Sequence, residues 1–373
     1  MKHLLVTNDF PPKVGGIQNM LWELWRRLDP ESFAVLTSPY AGTDEFDARQ
    51  NFRIERTPER VLLPHPVMVR RIERLAREFG ARHVVLDPAL PLGLVGRSLS
   101  LPYSVFVHGA EITVPGRLPA SRQVLAGVLR GATQVFASGS YPAREVVRAA
   151  GTSVPIVQVP PGVDTRRFVP LDDAARRAAR EKFGVSAHAP LVVGVSRLVP
   201  RKGFDVAIRA VARLAREFDG LTMLIGGTGR DRERLEKEIA QLRAPVRLLG
   251  RVSEDDLPAL YGCADAFMML CRTRWGGLEQ EGFGIVFVEA AACGVPQIAG
   301  KSGGAAEAVA HGETGFVVDD PNDVNEVVRR VAQLLDDADL RSVMSRASRE
   351  RAISQFSYDT LAARLGDALG VDE

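Results

Sequence analysis

Cysteine is scarce in this chain of 373 residues, with only Cys263, Cys271 and Cys293 present. An odd number without metal-ligand spacing argues against a disulfide framework or a zinc knuckle. Small core side chains in a reducing compartment are predicted instead. Long apolar runs are missing too. None approaches the ~18–20 residues that span a bilayer, and the apolar stretch of "MKHLLVTNDFPP" is far too short for a secretory signal. A cytoplasmic protein is expected, at most peripheral on the inner face of the plasma membrane. Charge of one sign is also lacking. With 48 Lys and Arg against 46 Asp and Glu, the net charge of +2 argues against a protein that coats nucleic acid. No short-period repeat or low-complexity tract occurs.

What the chain does hold is core, with 46% hydrophobic and 25% charged residues. Its length suggests two domains of roughly 150–200 residues. Short β-branched or aromatic runs predict strands at 3–7, 33–38, 83–87, 103–108 and 134–138, with helices at 16–27, 67–80 and 119–131. The scheme repeats with strands at 191–196, 222–227, 246–250, 266–270, 296–300 and 315–318 and helices between them. Apolar strands alternating with amphipathic helices predict parallel sheets covered on both faces. Pro and Gly cluster in "VPPGVDTRRFVP" (159–170), so the expected domains are 1–165 and 166–355. A last helix within 356–373 is expected to cross back to the first domain.

Open parallel sheets bind ligands beyond the carboxyl ends of their strands. After the first strand, Gly15 and Gly16 lead into a helix, an arrangement that offers backbone N–H groups to phosphate. After "LVVGVS" come Arg197 and Lys202, a fork and a point charge suited to clamping a diphosphate. "EGFGIVFVEA" (281–290) places Glu281 before a helix expected to begin near Phe283, Gly284 and Ile285, with Glu289 inside it. Carboxylates accept from vicinal hydroxyls, so this pair suits two polyols joined through phosphate, as in a nucleotide sugar.

These residues, together with "GGI" (15–17), "HG" (108–109), "PPGVD" (160–164) and "GETGFVV" (312–318), resemble the retaining GT-B glycosyltransferases of family 4. The likeness runs in order along essentially the whole chain. "VTNDFPPKVGGIQ" and "CRTRWGGLEQEGFGIVFVEAAACGVP" look most like the actinobacterial phosphatidylinositol mannosyltransferases of the PimB type. The resemblance implies two Rossmann-like doubly wound domains facing a central cleft. It implies transfer of mannose from GDP-mannose to a phosphatidylinositol mannoside by a front-face mechanism, with no metal or other cofactor. Glu281 and the amides of Phe283, Gly284 and Ile285 would hold the sugar and nearby phosphate. Glu289 would take the ribose and Arg251 and Val252 the base. Arg197 and Lys202 would neutralise the diphosphate, and Gly15 and Gly16 would approach it. His108 would sit near the transferred sugar and Gln18 near the acceptor. The insertion-like "RTRWGGLEQ" with Trp275 departs from commoner members.

Other readings stay open at this stage. Another nucleotide sugar, a soluble acceptor, or sugar-nucleotide binding without turnover would use the same residues. "GKSGG" (300–304) matches the nucleophile elbow of α/β-hydrolases, yet His311 is the only later histidine and lies at the end of the next expected helix. The same stretch has no glycine at P-loop spacing. In the helix at 67–80, Val69, Ile72, Leu75, Ala76 and Phe79 make an apolar stripe, with Arg70, Arg71, Arg74 and Arg77 largely off it. That helix is the candidate contact with anionic lipid.

Overall fold

Runs such as "HLLVT" and "FAVLT" bury every side chain, which requires a sheet covered on both faces. The computed structural model describes residues 1–277 and 279–371. The chain divides into two compact units, Met1–Gly162 with Tyr358–Glu373, and Val163–Ser357.

The first unit is built on seven parallel strands: β1 (His3–Thr7), β2 (Phe33–Thr37), β3 (Arg53–Arg56), β4 (His83–Asp87), β5 (Tyr103–Val107), β6 (Val135–Ala137) and β7 (Ile156–Gln158). Their order is β3-β2-β1-β4-β5-β6-β7. Strand order therefore reverses between β1 and β4, where Thr7 lies beside Asp87. The edge strands β3 and β7 were not expected from the sequence. The first is the charged tetrapeptide "RIER", a composition that protects an open sheet edge.

One face carries helix Pro66–Phe79, whose Met68, Ile72, Leu75 and Ala76 enter the core. The expected apolar stripe of this helix is thus packing surface. The other face carries helix Gly16–Trp25 and the last helix, Tyr358–Leu369, which share a cluster of Trp25, Leu28, Leu361 and Leu365. Asp359 accepts from Arg27 at 2.7 Å, and the Ala368 carbonyl accepts from Gln134 at 2.8 Å.

The second unit has six parallel strands: β8 (Leu191–Val195), β9 (Thr222–Gly226), β10 (Val246–Gly250), β11 (Ala266–Met269), β12 (Gln297–Gly300) and β13 (Gly315–Val318). The order β10-β9-β8-β11-β12-β13 reverses between β8 and β11. All three cysteines are buried in this unit, as their scarcity suggested. Asp323 caps helix Val324–Asp336, accepting from the amides of Asn325 and Glu326. The chain thus holds two parallel sheets, one in each unit, as the sequence predicts. Among the described residues no helix is long and apolar enough to cross a membrane.

Candidate active site

In the second unit, the loops that leave β8 and β11 flank the point where strand order reverses, the usual place for a ligand in such sheets. The β8 loop makes one 3-10 turn, Pro200–Lys202, and ends at Gly203 with φ 69°. A Cβ at Gly203 would lie 2.0 Å from the Leu270 carbonyl oxygen, so only glycine lets this turn close against the end of β11. The turn delivers Lys202 to Glu281. Lys202 Nζ donates to Glu281 Oε2 at 2.6 Å, and Arg201 Nη1 donates to the same oxygen at 2.7 Å. Burial alone raises a carboxyl's pKa, but these cations outweigh it and hold Glu281 below the usual carboxylate range. The neighbouring Cys271 thiol is pushed up by burial and by this carboxylate.

The backbone of Glu281 is braced from the far side. Its carbonyl accepts from Gly304 N at 2.9 Å, and a Cβ at Gly303, where φ is 53°, would lie 2.0 Å from that oxygen. Ser302 is buried and shares a hydrogen bond with Thr273 Oγ1 at 3.2 Å. The serine of "GKSGG" is therefore part of this brace and not an exposed nucleophile.

Phe283 is buried, Gly284 (φ 87°) is the N-cap, and Ile285 opens the helix Ile285–Ala292. Partly buried Glu289 accepts from Tyr261 Oη at 2.8 Å. Burial lifts the Glu289 carboxyl to about 7, with the tyrosine hydrogen bond pulling the other way. Arg197 is exposed and makes no side-chain hydrogen bond among the described residues, so it stands outside the Lys202–Glu281 cluster. Arg251 is exposed and Val252 half-buried, on the loop after β10 and beside the end of β9. In the flanking loop Trp275 is 63% exposed at φ 50°, under the Arg274 guanidinium 4.9 Å from its ring centroid. Leu278 of that loop lies outside the described residues.

The first unit has its own polar cluster at its reversal point. Asp87, fully buried, accepts from Thr7 Oγ1 at 2.6 Å and pairs with His108 Nε2 at 2.9 Å. Glu111 receives the amides of His108 and Gly109. Burial disfavours the imidazolium, yet Asp87, with Glu111 and Asp9 adding to it, raises the His108 pKa. Gly15 and Gly16 are exposed at the start of their helix. Gln18 is buried beneath Gly15, and its Nε2 donates to Asp9 Oδ1 at 2.5 Å. Gln18 thus braces the glycine turn, and its amide nitrogen is already engaged.

Sequence reasoning missed Arg201, Tyr261, Asp87 and Glu111. Asp87 carried a signal, as the acidic last residue of a strand at a reversal point. Arg201 was visible only as the basic neighbour of Lys202. Among the described residues no group of three or more His, Cys, Asp or Glu is placed to hold a metal ion.

On helix Pro66–Phe79, Arg71 pairs with Glu59 at 2.5 Å and Arg74 with Glu55 at 2.6 Å. The exposed Arg70 and Arg77 make no salt bridge among the described residues. Near its N-terminus Val61, Leu63 and Val67 are exposed. A cavity of about 450 Å³ beside them is lined by Pro64, His65, Val69, Arg70 and Leu94.

Residues 175–351 match the family described as glycosyl transferases group 1. The chain is 41% identical over 382 residues to the GDP-mannose-dependent alpha-(1-6)-phosphatidylinositol monomannoside mannosyltransferase of Mycobacterium tuberculosis, covering 99% of this chain and 98% of that protein. It is 35% identical to the monoacylated-acceptor counterpart from Corynebacterium glutamicum, covering 99% and 97%. Among solved structures, the Anabaena HepE protein in complex with UDP superposes with a TM-score of 0.83 at 22% identity, covering 99% of this chain and 100% of that one. WaaG, a glycosyltransferase involved in lipopolysaccharide biosynthesis, gives 0.68 at 19% identity, covering 98% and 99%. The chain belongs to the group 1 glycosyl transferases of GT-B fold, in the branch of the phosphatidylinositol monomannoside mannosyltransferases.

Proposed function

We propose that the protein transfers mannose from GDP-mannose to a phosphatidylinositol monomannoside, forming the second mannoside with retention of configuration. The observation that carries this reading is the identity of 41% along nearly the whole length of a protein named for that activity. The second unit supplies chemistry that suits the donor. Glu281, kept ionised, offers Oε1 to mannose hydroxyls, and the free amides at the start of helix Ile285–Ala292 face oxyanions. Glu289 takes the ribose hydroxyls, and the Arg251–Val252 segment meets the base. Arg197 and Lys202 balance the charge that develops on the departing diphosphate, without a metal ion. In the first unit, His108 orients the transferred sugar, Gly15 and Gly16 offer amides to phosphate, and Gln18 supports that turn. The departing phosphate takes the acceptor proton, so catalysis rests on orientation and electrostatics, with no carboxylate nucleophile.

The lipid acceptor is reached at the cytoplasmic membrane face. The supporting feature is the exposed Val61, Leu63 and Val67 beside Arg70, and not the apolar stripe of the 66–79 helix, which is core. Arg70→Ala with Arg77→Ala is expected to lower co-sedimentation with anionic liposomes. Unchanged binding, or binding indifferent to anionic lipid, contradicts this attachment.

The direct test is incubation with GDP-mannose and phosphatidylinositol monomannoside, with and without EDTA, reading the dimannoside by mass spectrometry. Product in both arms is expected. No product, together with turnover of a different nucleotide sugar, would replace the donor. Product lost to EDTA would overturn the metal-free mechanism.

A further inference from the structure

Glu281 meets more positive charge than one carboxylate requires. Its Oε2 accepts from Lys202 at 2.6 Å and Arg201 at 2.7 Å, and Cys271 Sγ lies 3.6 Å from the same atom. Oε1 makes no hydrogen bond among the described residues and is absent from the buried unpartnered atoms, so it is the oxygen open to a ligand. Two cations on one carboxylate leave the trio with a single surplus positive charge.

The two cations are held differently. Arg201 is anchored beyond Glu281: Nη1 also donates to the Gln280 carbonyl at 3.2 Å, and Nε lies 3.9 Å from Glu279. Glu279 is in turn tied to Arg274 at 2.9 Å. The Lys202 ammonium makes its single side-chain hydrogen bond, among the described residues, to Glu281. A guanidinium holds several acceptors in one plane, whereas an ammonium on a four-carbon stem is a point charge that turns freely.

We propose that Arg201 is a positioning residue that keeps the Glu281 carboxylate fixed with Oε1 outward, while Lys202 is the cation that an incoming diphosphate draws away from Glu281. This rests on the donor reading above. Stripping a buried carboxylate of its only counterion is strongly unfavourable. A second, better anchored cation removes that penalty, so the same trio holds the sugar-binding oxygen before and after the phosphate arrives. The short turn Pro200–Lys202 places the two cations next to each other in sequence and on one acceptor atom in space.

The test compares Arg201→Met, Arg201→Lys and Lys202→Met in the full-length protein. GDP and GDP-mannose binding are measured by calorimetry, and kcat and KM by transfer. The Glu281 carboxyl is titrated by carbon-13 NMR without donor. Arg201→Met should lower kcat by ~10²-fold through misorientation while GDP affinity stays within about twofold. Arg201→Lys should restore part of the loss. Lys202→Met should weaken GDP itself by about tenfold or more, having lost a charge-assisted contact. In donor-free protein, Glu281 should titrate at higher pH in Arg201→Met than in wild type.

Unchanged kcat in Arg201→Met, an unmoved carboxyl titration, or equal loss of GDP affinity in the Arg201→Met and Lys202→Met proteins overturns the proposal. If Arg201→Met does not fold, Arg201→Lys decides: reduced kcat with retained GDP affinity supports it, and loss of both overturns it. Wild-type protein that binds neither GDP nor GDP-mannose refutes the donor reading instead, and the donor-free titration then judges Arg201 alone.

Discussion

Each unit buries a carboxylate where its strand order reverses, and the two are balanced in opposite ways. Asp87 is met by a hydroxyl and an imidazole, Thr7 and His108. Glu281 is met by two basic side chains, Arg201 and Lys202. The second cluster sets two cations against one carboxylate and suits an anion. The first changes charge when His108 titrates, and its groups both donate and accept, which suits hydroxyls. One architecture used twice thus gives an electrostatic half and a hydrogen-bonding half, and the partners of one carboxylate decide which is which.

Removing the carboxylate should separate the halves most sharply. Glu281→Ala is expected to cut transfer by ~10²–10³-fold while sparing GDP binding, because a contact to the sugar is lost and the cations remain. Transfer within about threefold of wild type would deny Glu281 any part in the reaction.

Asp87→Asn should cost less, ~10–10²-fold in transfer, within the range of a perturbed acid–base or orienting group. It also removes the anion that raises the His108 pKa, so His108 should lose its proton at lower pH, visible by NMR. A raised histidine pKa adds stability that is present below the unfolded value and lost as pH rises through the folded one. The gap in thermal stability between wild type and Asp87→Asn should therefore narrow at alkaline pH. An unshifted His108 titration would mean that the two units are balanced alike after all.

The smallest effect belongs to Glu289, raised to about 7 by burial. Ribose hydroxyls donate to an ionised carboxylate, so GDP-mannose affinity should rise with pH through about 7 and then level, by about tenfold or less. Tyr261→Phe removes a hydrogen bond that favours ionisation and should move this rise upward. Calorimetry at several pH values that finds no slope, or the same slope in Glu289→Gln, would remove Glu289 from the donor site. Because this pKa lies above its unfolded value, the group's contribution to stability is fully present below about 4.5 and lost as pH rises through about 7.

Much of this was legible beforehand, for physical reasons. Strands such as β8 and β11 are continuous apolar runs, and such runs announce themselves. Strands β3 and β7 did not, because an edge strand carries charge or is very short. Lys202 and Glu281 could be picked out as separate candidates, but nothing in the sequence joins residues 79 positions apart to one oxygen atom. Nothing in the sequence separates Arg201, beside Lys202, from solvated basic surface. Tyr261 sits in an apolar helix with its ring in the core, and only its hydroxyl reaches Glu289. The resemblance put Gln18 near the acceptor, but its hydrogen bond from helix Gly16–Trp25 to Asp9 is not legible in the sequence.

The return of helix Tyr358–Leu369 to the first unit has a consequence for biosynthesis. The second unit, Val163–Ser357, is one unbroken stretch and has all its parts once Ser357 clears the ribosome. The first unit began earlier but lacks Leu361 and Leu365 until helix Tyr358–Leu369 is made, leaving Trp25 and Leu28 without their cover. Domains ordinarily mature in the order they are translated. Here translation order and completeness part ways: the half begun first can bury Trp25 and Leu28 only after the whole of the other half, and helix Tyr358–Leu369 behind it, has been made.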